Sequence, residues 1–175
     1  MKLLTISSWM RSTIKYFKEE TLEKYARQYG WTLIDDSNRK DMFMDMIRQM
    51  DMSYSYKPVL IKAILLYADE RGRIKLEDIV SYFKSYYEGR RAAGLIVEKR
   101  NSIFAKGGYT DKEAERNILA NPFKRFEDMQ MLRHTKTLGI VQVDESIWKK
   151  LTQEEKQEIE QVCDKKLEAY YQRLK

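Results

Sequence analysis

Residues 53–83 read SYSYKPVLIKAILLYADERGRIKLEDIVSYF. Proline lacks the N–H that would have no intrahelical partner in a first turn, so Pro58 suits the start of a helix. The run that follows, VLIKAILLYA, is apolar nearly all round, which makes that helix a central one. Gly72 permits a left-handed turn, and Arg73–Lys75 is long enough for one short strand. Leu76, Ile79, Val80, Phe83, Tyr86 and Tyr87 then recur at i, i+3, i+4 spacing, the stripe of a second amphipathic helix.

On the N-terminal side, Ser7 or Ser8 can cap a helix running toward Gly30, with Trp9, Ile14, Phe17, Leu22 and Tyr25 on its apolar face. Trp31–Ile34 reads as a brief strand, and DDSNRKD (35–41) as a linker. The chain therefore divides into an N-terminal helical extension (1–36) and a main domain (37–175). Met42, Phe43, Met46, Ile47 and Met50 return at helical spacing, either as core or as an adaptable methionine-rich binding face.

On the C-terminal side the chain loosens through EKRNSIFAKGGY. Thr110 with Glu113 forms a capping box for the helix TDKEAERNILAN, which Pro122 restarts or kinks into PFKRFEDMQ. MLRHT and IVQV, separated by KTLG, read as a hairpin. Thr152 with Glu155 is a second capping box, opening a long terminal helix with Ile159, Val162, Leu167, Tyr170 and Leu174 on one side. From Pro58 the order is helix, strand, helix, helix, hairpin, helix, which is that of a winged helix. The expected fold is thus mainly α: a winged-helix-like helical domain with a small β-hairpin, an N-terminal helical extension and a long C-terminal helix. Leu65, Ile79, Phe83, Phe123, Phe126, Ile140 and Trp148 are expected to share its core.

Composition agrees with a helical protein. The 175 residues include only seven Gly and two Pro, against twelve Tyr and nine Met. A net charge of +6 suits a polyanionic partner, although 33 positive and 27 negative residues are spread along the whole chain. Cys163 stands alone, which excludes an intramolecular disulfide or a multi-cysteine zinc site and fits a reducing compartment. Ser7, Ser8 and Arg11 interrupt the opening stretch, so no signal peptide is read there, and Val59–Ala68 is too short to span a bilayer. A cytoplasmic protein with no membrane partner is expected.

In a winged helix the helix before the hairpin enters a major groove and the wing lies beside the backbone. Here that helix offers Arg116, Lys124 and Arg125, and the hairpin offers Arg133, His134 and Lys136; Lys124, Arg125, Arg133 and Lys136 are expected to converge on one face. The densest basic region is elsewhere. Lys84, Arg90, Arg91, Lys99, Arg100 and Lys106 outnumber Glu88 and Glu98, with Tyr86, Tyr87 and Phe104 interleaved, a mixture able to hold a single strand by phosphate contact and stacking. The same tyrosines could instead end the buried stripe.

No catalytic residues and no cofactor are expected. His134 is the sole histidine and has no nucleophile at a recognisable spacing; Cys163 sits beside an apolar stripe; Glu154–Lys156 falls in a helix first turn, where acids are common anyway. Neither a phosphate loop nor a metal site is visible, and Asp144 in IVQVDES reads as a helix cap.

The segments SYSYKPVLIKAILLYADERGRIKLEDIVSYFKSYYEGRRAAGLIVEK, NPFKRF and IWKKLTQEEKQEIEQVCDKKLEAYYQRL resemble the C-terminal region of bacterial DEAD/DEAH-box helicase-family proteins from mobile elements and defence loci. The resemblance covers roughly residues 40–174 and implies an accessory domain without its motor. Its motifs specify a domain and not a reaction; with no active-site pattern in the residues, the leading expectation is a non-enzymatic module that binds nucleic acid, DNA or RNA, or a nucleic-acid-processing complex. A phage or mobile-element protein that inhibits a host defence complex, as anti-CRISPR proteins do, is the alternative, and a divergent nuclease a third.

Overall fold

A helix apolar on every side has to be surrounded, and the fold is built around that requirement. In the computed structural model, which describes residues 19–30 and 33–175 with side chains from Lys24 onward, the elements run α1 (Glu19–Tyr29), α2 (Arg39–Arg48), α3 (Tyr56–Tyr67), β1 (Arg73–Lys75), α4 (Leu76–Ala92), α5 (Ile103–Lys106), α6 (Asp111–Ile118), a π-helical turn (Leu119–Phe123), α7 (Lys124–Asp128), β2 (Leu132–Thr135), β3 (Ile140–Val143), α8 (Glu145–Trp148) and α9 (Gln153–Gln172). Helix α3 buries Tyr56, Pro58, Val59, Leu60, Ile61, Ala63 and Ile64. It packs against α4, α9 and the π-helical turn. Its C-terminal end leaves the core, with Leu66 62% exposed and Leu65 only half-buried.

The chain is mainly helical, with a small antiparallel sheet and a long C-terminal helix. The expected hairpin gains a third strand: β1 pairs with β3, giving the order β1-β3-β2. Ile74 lies opposite Val141 and Leu132 opposite Val143, all four side chains turned to the core. The turn from α3 into β1 is held by Asp69, whose carboxylate accepts from the Arg71 and Arg73 amides at 2.8 and 2.9 Å. Gly72 there adopts φ +72°, and a Cβ on it would meet Trp148 Cγ at 2.8 Å. Trp148 in turn donates to the Asp69 carbonyl at 3.0 Å, so turn and indole fix each other.

Pro122 neither restarts nor breaks its helix. Its ring excludes the normal hydrogen bond, and the backbone widens into the π-helical turn, burying Pro122 and Phe123 while continuing from α6 into α7. Both capping boxes form, at Thr110–Glu113 and Thr152–Glu155. Asp144 caps α8 through the Ser146 amide.

Three expectations need correction. Leu33 and Ile34 form no strand, and the Leu33 carbonyl accepts from the Asn38 side chain at 2.8 Å; Trp31 lies outside the described residues. The supposed linker is a turn in which Asp35 accepts from the Ser37 amide at 2.7 Å, and α2 already begins at Arg39. Of the apolar face assigned to the first helix, Trp9, Ile14, Phe17 and the side chain of Leu22 lie outside what is described, and Tyr25 is exposed and stacked on Tyr29 while Ala26 turns inward. Of the seven expected core residues, Ile79, Phe83, Phe123, Phe126 and Trp148 are buried, whereas Leu65 and Ile140 are half-buried.

Phe83 is fully buried among Tyr56, Tyr87 and Phe104. Phe83→Ala should cost about 3–5 kcal/mol in denaturant unfolding. Gly72→Ala should cost about 2–4 kcal/mol, since it combines a left-handed backbone with a clash against Trp148; an unchanged midpoint for either variant would mean that this packing is misassigned.

Candidate nucleic-acid interface

Residues 89–106 carry five cations, Arg90, Arg91, Lys99, Arg100 and Lys106, and a single acid, Glu98. Two of the cations build the segment as well as charge it. Arg90 Nε donates to the Ile96 carbonyl at 2.8 Å, and its guanidinium lies 3.3 Å above the Tyr171 ring. Arg91 Nη2 donates to the Phe104 carbonyl at 2.6 Å. Consecutive arginines at the end of α4 thus clamp both halves of the loop that follows. Lys99 lies 5.4 Å from the Tyr54 ring, while Arg100 and Lys106 are exposed. None of the five joins an ion pair among the described residues.

Glu98 faces the other way. It is 5% exposed and accepts from the Ser55 amide at 2.8 Å, the Ser55 hydroxyl at 2.5 Å, the Tyr170 hydroxyl and the Lys99 amide at 2.8 Å. A buried carboxylate is costly unless its lone pairs are filled, and these donors fill them. Ser55 Oγ also lies 2.7 Å from the Tyr87 hydroxyl and 3.0 Å from that of Tyr171. Burial pushes the phenols of Tyr87, Tyr170 and Tyr171 well above their ordinary range, so they remain protonated and able to donate. With its one carboxylate inside the protein, the surface of residues 89–106 is cationic without internal neutralisation.

The aromatic residues proposed to stack on bases are not available for it. Tyr87 and Phe104 are fully buried and stack on each other at 4.5 Å, and Tyr86 is half-buried edge-on to Tyr87. They end the core stripe. Lys84 is held by Asp111 at 2.5 Å.

The other candidate cations are dispersed. Arg116 is exposed on α6 and Lys136 in the hairpin turn. Lys124 and Arg133 share an open cleft of about 770 Å³ between α7, the hairpin and α8, but Asp36, Glu127, Asp128, Asp144 and Glu145 line it too. Within it Lys124 is tied to Asp128 at 2.7 Å. Arg125, its neighbour, lies instead in a groove of about 460 Å³ beside Met42, Met46, Met50 and Met129. Arg125 therefore does not join Lys124 and Arg133 in one groove. The imidazole of His134 packs edge-on to Phe123, its Nε2 buried with no hydrogen-bond partner among the described residues.

The residues considered for chemistry have structural duties. Cys163 is fully buried, and burial raises its thiol to about 12, so it stays uncharged. Glu155 completes its capping box and pairs with Lys40 at 2.7 Å; Lys156 lies over the Trp148 ring. Among the described residues no three His, Cys, Asp or Glu side chains are grouped to hold a metal ion, and no helix is long and apolar enough to cross a membrane. No protein-family model, curated protein or solved structure matches the chain.

Two measurements test this geometry. Glu98→Ala strands the Ser55 and Tyr170 donors and should cost about 2–3 kcal/mol, with faster amide exchange at Lys99. Wild-type exchange at Lys99 would sink the network. The second concerns Asp144. Burial alone would raise its carboxyl, but the Ser146 hydroxyl and amide and the Arg39 guanidinium outweigh this and hold it below the usual carboxylate range. Its stabilising effect is therefore present above the unfolded value of about 3.9 and is lost as pH falls through the lower folded value. Asp144→Asn should melt below wild type at pH 7, with the gap closing in acid; a gap independent of pH would contradict the pairing.

Proposed function

We propose that this chain is a non-enzymatic, winged-helix-like module that binds nucleic acid, or a complex processing it, chiefly through phosphate contacts from residues 89–106. The observation that carries the reading is the inward Glu98, which leaves five cations on that segment with no carboxylate among them. Phosphate recognition needs unneutralised, pre-positioned cations, and the Arg90 and Arg91 clamps supply the positioning.

The order α3, β1, α4, α6–α7, β2, β3 with a β1-β3-β2 sheet supports the winged-helix comparison. So does the resemblance to helicase C-terminal regions, which implies a helicase-associated role. Insertion of α6–α7 into a major groove is the less favoured mode, because Lys124 is neutralised and the cleft beside the wing holds five carboxylates against two cations. That same cleft favours the second reading, a protein-interaction module of the anti-defence kind, whose partner would present a basic surface there.

Arg100→Glu with Lys106→Glu tests the first reading, since neither side chain supports the fold. Affinity for duplex at low salt should fall steeply, the log–log salt slope should drop by about 2, and melting should stay near wild type. Unchanged affinity would exclude this surface. Loss of a protein partner on Asp36→Lys with Glu145→Lys, nucleic-acid binding being absent, would favour the second.

A further inference from the structure

We infer that Leu95 and Ile96 form an apolar wedge that enters a base step of duplex nucleic acid while the surrounding cations hold the phosphates, an inference that rests on the nucleic-acid reading above. Leu95 is 52% and Ile96 37% exposed, two consecutive large apolar side chains at the tip of an otherwise cationic segment. The tip is built rather than loose. Leu95 N donates to the Arg90 carbonyl at 2.9 Å, Arg90 Nε returns to the Ile96 carbonyl at 2.8 Å, and the Arg90 guanidinium is fixed on Tyr171. Immediately beyond, Val97 is half-buried against the core and Glu98 is anchored inside it, so the chain re-enters the protein directly behind the wedge.

This combination fits a duplex. Proteins that kink DNA insert Leu or Ile between base pairs and hold the flanking phosphates with Arg and Lys, the unstacking being offset by the added contacts. A single-strand binder needs exposed aromatic faces, and here Tyr87 and Phe104 are buried. An anionic membrane presents the nearest rival chemistry, cations around an apolar tip, and belongs among the controls.

The full-length protein is titrated into a short duplex carrying 2-aminopurine at a central TA step and a dye pair at its ends, into the matching single strand, and into vesicles of phosphatidylserine and phosphatidylcholine. Wild type should raise the 2-aminopurine fluorescence, shorten the end-to-end distance and prefer duplex to single strand. L95S/I96S should bind the duplex about tenfold more weakly, with an unaltered salt slope and no fluorescence rise; L95S alone should give an intermediate result and serves if the double variant folds poorly. R100E/K106E should lose binding and fluorescence together. Duplex binding with equal fluorescence in wild type and L95S/I96S overturns the wedge and leaves the nucleic-acid reading standing, as does tighter binding of the single strand. Failure of wild type to bind any nucleic acid overturns both, and vesicle binding in that case assigns the surface to a membrane.

Discussion

The carboxylate of Glu98 is the constraint on which the candidate surface depends. Buried and in no ion pair among the described residues, it is held by hydroxyl and amide donors from the start of α3, the end of α9 and its own loop. These elements are far apart in sequence, so satisfying one carboxylate fixes where two helix ends meet and where the loop after α4 crosses them. Ser55 sits at the N-cap position of α3 yet does not cap it; its hydroxyl is committed to Glu98, Tyr87 and Tyr171. Turning the acid inward also leaves no carboxylate of residues 89–106 on the surface beside their five cations.

The molecule's charge is thereby sorted although its composition is mixed. Elsewhere several cations are used in pairs that join elements: Arg39 with Asp144, Lys40 with Glu155, Arg48 with Glu158, Lys62 with Asp164. The exposed pairs among these contribute little stability individually. Residues 89–106 are the contrast, and the cleft beside the hairpin is the opposite contrast. The cationic segment and the acidic cleft are the two features on which the proposed function rests.

Much of the fold was legible in the sequence because it rests on local rules. Both capping boxes, the Gly72 turn, the three-residue β1 and the α4 stripe follow from residue type and spacing alone. The pairing of β1 with β3 was not legible, since it joins residues nearly seventy positions apart. The π-helical turn at Pro122 was not legible either, since a proline in a helical pattern signals a kink or a restart equally well. The basic character of residues 84–106 was visible, but not its division of labour: no pattern marks Glu98 as inward, because its donors lie 43 and 72 positions away. Counting charges made Lys124 and Arg133 look like contact residues, whereas the fold surrounds them with carboxylates drawn from α7, α8 and the turn before α2.

Amide exchange of the full-length protein with and without a saturating short duplex measures directly which surface is used. The proposed interface predicts slowed exchange concentrated in residues 89–106, with residues 124–136 little changed. Slowed exchange confined to residues 111–136 would contradict it and restore the helix before the hairpin as the reading element.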